Sequence, residues 1–153
     1  MNKLSPLGIG PKIGRFAFTY FIIAIVLNLY FSEIFSFGAT LKKPLLIAGA
    51  IWLGIGLIFY AATVKALLTG IKQTRLMTTG PYKYSQNPLY AVMMLFIIPG
   101  IALLLNSWLV LITSIIAYII FKINIHKEYE EMEMFFGEEY REYRKRTPEF
   151  FLF

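Results

Sequence analysis

The sequence predicts an all-α integral membrane protein of about four transmembrane helices, ending in a helical hairpin and an interfacial amphipathic C-terminal helix. Three observations predict it. The chain has 153 residues and is 58% hydrophobic and only 16% charged, whereas soluble domains lie near ~45–50% and ~25%. Runs such as FAFTYFIIAIVLNLYF and LLIAGAIWLGIGLIFYAATV approach or reach the ~20 residues that cross a bilayer. The tail then changes character: eight of the nine acidic residues fall in 128–149.

The first span is expected at about Phe16–Phe35. It is too long for a secretory leader, and no small-residue cleavage site follows it. The second, about Pro44–Leu68, contains Gly49, Gly54 and Gly56, small residues that let a neighbouring backbone approach. The third, about Pro88–Leu105, carries Pro99-Gly100 as an expected kink. The fourth, about Ser107–Ile123, follows after the single polar break Asn106-Ser107, so the last two spans read as a tight hairpin. Each of these two is slightly short for a full crossing. In the tail, Tyr129, Met132, Phe136, Tyr140 and Tyr143 recur at spacings of three and four, one apolar face of a helix that Gly137 ends or bends. Its plain reading is a helix lying on the membrane surface.

Lys and Arg set the expected topology. Thirteen of the fifteen fall at the two termini and after the second span, leaving Lys42 and Lys43 on the other side. Both termini are therefore expected in the cytoplasm, with the tail held against anionic lipid. The basic residues cluster at membrane edges, which argues against nucleic-acid binding. The absence of cysteine excludes disulfides and thiolate chemistry, and one histidine with no aspartate argues against a metal site or a Ser-His-Asp triad. No charge lies in mid-span, as a channel or transporter usually requires, and Asn28 is the nearest exception.

GPYKYSQNPLY, residues 80–90, is the stretch that asks for a function. Gly80-Pro81 reads as a turn. Asn87-Pro88 reads as a helix start, asparagine at the N-cap and proline at the first helical position. A helix start can receive an anion, and Tyr82, Tyr84 and Tyr90 bring rings that attract cations or stack on flat heterocycles. An aromatic belt with a cap explains the same residues without any ligand. If the last two spans form a hairpin, Glu128 joins this turn. Anion site, aromatic rings and carboxylate together would suit S-adenosylmethionine.

The pair GPYKYSQNPLY and HKEYEEMEMFFGEEYREYRKRTPEF, within about residues 74–150, resembles the isoprenylcysteine carboxyl methyltransferase family. That family belongs to a wider group of membrane methyltransferases that includes phospholipid N-methyltransferases. The family pattern G-x-Y-x-x-x-R-H-P-x-Y is matched by Gly80, Tyr82, Pro88 and Tyr90, with Gln86-Asn87 in place of Arg-His. The pattern E-E-x-x-L-x-x-x-F-G-x-x-Y-x-x-Y is matched by Glu128, Met132, Phe136, Gly137, Tyr140 and Tyr143, with Tyr129 in place of the second glutamate. The resemblance implies one membrane methyltransferase domain over 1–153: membrane helices in 1–73 and a half that binds S-adenosylmethionine, later S-adenosylhomocysteine, in 74–153. Implied cofactor contacts are Tyr82, the turn Asn87, Pro88, Leu89 and Tyr90, and Glu128. The main chain of Thr74, Arg75, Leu76 and Met77 would flank the cofactor, and Tyr140 would pack it down. Asn124 stands near where the family carries an arginine toward the substrate carboxylate.

Catalysis is then expected to be mainly approximation. If an acceptor must lose a proton, His126 and Glu128 are the nearby candidates. The expected acceptor is lipophilic and enters sideways from the bilayer, while the cofactor enters from the cytoplasm. A prenylcysteine-like carboxylate, a phospholipid amine and a small lipophilic thiol or acid all remain open as acceptors. So does a membrane binding or scaffold protein that has lost turnover.

Overall fold

The computed structural model describes the backbone of residues 10–151 and the side chains of residues 14–151. Lys3 and the side chain of Lys12, which entered the topology count, lie outside these. The described residues form helices α1 (Gly10–Tyr30), α2 (Ser32–Phe35), α3 (Lys42–Gln73), α4 (Pro88–Val92), α5 (Ile98–Leu104), α6 (Trp108–Phe136) and α7 (Glu138–Arg146). A π-helical turn, Met93–Ile97, joins α4 to α5, so Pro88–Leu104 runs on as one apolar rod.

Two of these helices are long and apolar enough to cross a membrane: Ala39–Gln73, which takes in the 3-10 turn ahead of α3, and Trp108–Phe136. The apolar window of the first is only 11% buried. Ile47, Ile51, Leu57 and Ile58 stand exposed along it. A soluble protein would bury such a helix, whereas lipid tails solvate it. Gly14–Tyr30 and Pro88–Leu104 are shorter apolar helices, spanning roughly 25 Å each at 1.5 Å per residue.

Several expected boundaries move. The first span breaks at Phe31, where the backbone leaves helical geometry before α2. The fourth does not stop near Ile123: α6 continues unbroken to Phe136, because Lys122 to Met134 contains no glycine or proline. The separate tail helix starts only after Gly137, whose positive φ of 57° turns the chain. The apolar stripe read from Tyr129 to Tyr143 is thus split across two helices. Both parts still bury their rings in one core with Phe121 and Phe150.

α3 buries only Gly49, Gly56, Thr63 and Gly70, one small residue every seven. This stripe lets α5 and the π turn approach closely. A Cβ on Gly49 would lie 2.8 Å from the Leu104 nitrogen, and one on Gly56 would lie 2.7 Å from the Phe96 Cβ. Gly54, read with them from sequence, meets nothing within 4 Å, because position 54 is off the period-seven face. The expected kink also has a definite form. Pro99 has no N–H to offer the Leu95 carbonyl, the backbone widens into the π turn, and Trp52 Nε1 of α3 donates to that oxygen at 2.8 Å.

At the far end of α5, Asn106 takes a positive φ of 50° and Ser107 caps α6, its hydroxyl accepting from Val110 N at 3.3 Å. At the near end, α3 finishes at Thr74, whose φ of 49° is left-handed. The chain then crosses to the 3-10 turn Gly80–Lys83 and enters α4.

Candidate functional site

The site forms where the 80–90 loop, the last third of α6 and α7 meet. Tyr90 lies in the first turn of α4, and its hydroxyl donates to Glu128 Oε2 at 3.1 Å. Tyr82 and Tyr140 lie near enough for the charge of the same carboxylate to act on them. Burial pushes the Tyr82 phenol well above the ordinary 10.0, and the Glu128 charge adds to the rise. Burial raises Tyr140 also; Arg144 opposes, and Glu128 and Glu133 reinforce the shift. Tyr82 and Tyr140 are thus neutral hydroxyl groups near one half-buried carboxylate. Such a group offers aromatic faces to a cation and a carboxylate to hydroxyl or ammonium donors.

Beside it, Arg75, Leu76, Met77, Thr78, Thr79 and Glu139 line a cavity of about 250 Å³. Leu76 belongs to both features, since its buried side chain packs in the core that contains Tyr140 and Ala91. The loop therefore runs along one side of the site. Thr74 does not reach it; that residue is exposed and ends α3, its N–H directed at the Ile71 carbonyl.

The Asn87-Pro88 turn is placed differently from expectation. Asn87 occupies the N-cap position, and its carbonyl accepts from Ala91 N at 3.0 Å. Its side chain makes no cap. Its Nδ2 instead donates to the Tyr129 hydroxyl at 2.7 Å. Pro88 is buried and Leu89 half-buried.

Asn124 lies one turn before Glu128 on the same helix face, but its Nδ2 donates back to the Ile120 carbonyl at 2.8 Å. His126 does not join the group. Two residues along a helix is ~200° of rotation, and His126 is exposed with its ring edge-on to Tyr129 at 6.4 Å.

The sequence reading missed the segment after α7. Gln86 N donates to the Pro148 carbonyl at 2.8 Å, Gln86 Nε2 to Thr147 O, and Ser85 Oγ to Glu149 O at 2.9 Å. The Tyr143 hydroxyl lies 2.7 Å from the Tyr82 carbonyl and 3.1 Å from that of Ser85. Ser85 and Gln86 thus fasten the tail to the site loop. The one signal for this was the apolar stretch EFFLF after a helix that ends on the basic run Arg144-Lys145-Arg146.

Apolar helices exposed along their length, with tyrosines and a carboxylate gathered at one end, are what a membrane protein with a polar end presents. Residues 43–139 match the model of the phospholipid methyltransferase family. The match covers more than half of the chain, and the protein belongs to that family: it is a membrane methyltransferase, for which the family implies S-adenosylmethionine as methyl donor. No curated protein and no solved structure matches the chain. The matched residues run from the start of α3 into α7 and so include the cavity loop and Glu128. The donor set suits that cofactor: Glu128 for ribose hydroxyls or a positive centre, tyrosine faces for the sulfonium or adenine, and Arg75 for a carboxylate.

Proposed function

We propose that this protein methylates a lipid-borne acceptor at the cytoplasmic membrane face, with a phospholipid amine as the acceptor that the family favours. The observation that carries the reading is the Glu128 carboxylate, hydrogen-bonded by Tyr90 and within electrostatic reach of Tyr82 and Tyr140, beside the Arg75–Thr79 cavity. When bound, S-adenosylmethionine supplies a sulfonium methyl: the acceptor lone pair bonds to its carbon, and the C–S electron pair stays on sulfur. The protein has to orient, desolvate and, for an amine, accept a proton. Glu128 suits that last task as the carboxylate at this site, and Tyr90 orients it. His126, exposed on the other side of α6, is left out. The excess of Lys and Arg at the site end supports a cytoplasmic position for both termini and the site. A prenylcysteine-like carboxylate, which needs no base, is the second reading, supported by the two sequence patterns described above.

The test is calorimetry with S-adenosylmethionine and S-adenosylhomocysteine on detergent-purified protein, followed by transfer of labelled methyl to phosphatidylethanolamine and to a prenylated cysteine. Tyr90→Phe deletes the hydrogen bond that orients the Glu128 carboxylate, so cofactor affinity should fall. Glu128→Gln should lower it at least as much, and His126→Ala should change it less than about twofold. A folded wild type that binds neither cofactor form would overturn the proposal.

A further inference from the structure

The segment Glu149-Phe150-Phe151 has the chemistry of a small lipid: an anionic head followed at once by apolar groups. Its surroundings match. Lys122 Nζ lies 2.6 Å from Glu149 Oε2, and the Tyr129 hydroxyl donates to Oε1 at 3.0 Å. Asn87 Nδ2 donates to that same hydroxyl, which leaves the Tyr129 proton directed at the carboxylate. Two donors on a rigid helix thus converge on one anion. Phe150 is buried between Tyr118 and Phe121, its ring 5.0 Å from Phe121, and Phe151 reaches across to Phe59 of α3 at 6.3 Å. Phe121 in turn packs on Tyr90 at 5.3 Å, so this seat adjoins the candidate methyl-transfer site. It also opens outward, since the Lys122 side chain is 47% exposed.

We propose that the tail is a self-ligand in the seat of an anionic amphiphile. The carboxylate of Glu149 stands where the ligand's phosphate or carboxylate meets Lys122 and Tyr129. The rings of Phe150 and Phe151 stand where its apolar chain runs between α3 and α6. Ligand and tail exclude each other. The tail holds to the loop by hydrogen bonds from Ser85 and Gln86 to its main chain, so it leaves without unmaking a helix. The contacts of the Glu149 carboxylate with Lys122 and Tyr129 add to its hold. Fractional occupation of the seat by the tail lowers the apparent affinity of any ligand by that fraction. The inference rests on the lipid-acceptor reading for its biological sense, but the seat is testable alone.

The probes are dihexanoyl phosphatidate, uncharged dihexanoyl glycerol and inorganic phosphate, titrated into full-length wild type, Glu149→Gln and the double variant that adds Lys122→Gln to it. Binding of S-adenosylhomocysteine is measured in each protein as a separate check on the cofactor site. Phosphatidate should bind Glu149→Gln about tenfold more tightly than wild type, and adding Lys122→Gln to that variant, where no tail carboxylate competes, should weaken its binding about tenfold. Saturating phosphatidate should also speed hydrogen exchange in residues 147–151 of the wild type, a measurement that needs no variant. Uncharged glycerolipid binding as well as phosphatidate, or exchange in the tail unchanged at saturation, overturns the proposal. Inorganic phosphate binding as tightly as phosphatidate overturns its lipid part. Loss of these effects with cofactor binding intact counts against the seat alone.

Discussion

Gly49 and Gly54 look alike in the sequence and have opposite surroundings in the fold, so alanine at each gives a sharp test of the α3–α5 contact. At Gly49 a Cβ would sit 2.8 Å from Leu104 N, 2.9 Å from Leu103 Cβ and 3.0 Å from Gly100 O. Comfortable carbon contacts are ~3.5–4.0 Å, so the helices must part by roughly 0.5–1 Å, and two of the three obstacles are backbone. Overpacking of this kind costs about 1–3 kcal/mol. At Gly54 a Cβ meets nothing within 4 Å. Both variants gain the same helix propensity, about 1 kcal/mol, and the difference between them isolates the packing cost. At about 2–4 °C per kcal/mol for a chain of this size, Gly49→Ala should melt about 2–12 °C below Gly54→Ala in the same detergent. Gly54→Ala itself should match or exceed the wild type. Equal melting shifts for the two variants would refute the close approach, and with it the period-seven stripe as the organiser of the fold.

The π turn offers a second test: Trp52→Phe should cost about 1 kcal/mol by removing the hydrogen bond to the Leu95 carbonyl. Pro99→Ala should remove most of that cost by restoring an N–H, and a double-mutant cycle in melting free energy that shows simple additivity would count against the link. The third concerns pH. Burial raises Tyr82, Tyr140 and Tyr143 above 10.0, so these phenols stay protonated when their unfolded counterparts ionise. Their contribution is complete below pH 10, and stability should fall as pH rises beyond it. Tyr143→Phe should make that fall shallower in a melting series, and absorbance at alkaline pH should show tyrosines that resist ionisation until the protein unfolds.

Much of this protein was legible in its residues because the membrane is an undemanding judge of sequence. Twenty apolar residues have one solution in lipid, a helix that satisfies its own backbone, so the helical class and the approximate segments followed from composition. Glycine and proline marked real events at Gly137 and Pro99, since each acts through its own backbone. The linked patterns around Tyr90 and Glu128 drew attention to two side chains that do meet, at 3.1 Å. Helix phase was the limit. Which glycines face a neighbour depends on rotation about α3, and the uniformly apolar sequence gives no polar face to fix it. For the same reason His126 and Glu128 are near neighbours in the chain and lie on opposite sides of α6. The tail was illegible for another reason. The hold of Ser85, Gln86 and Asn87 on residues 147–149 joins segments about sixty residues apart through main-chain carbonyls, and a carbonyl is the same at every position. The sequence by itself determined a helical membrane chain and the chemistry at its polar end. Only the tertiary structure decided which small residues let helices touch, which acid meets the tyrosines, and that the chain's own tail lies beside it.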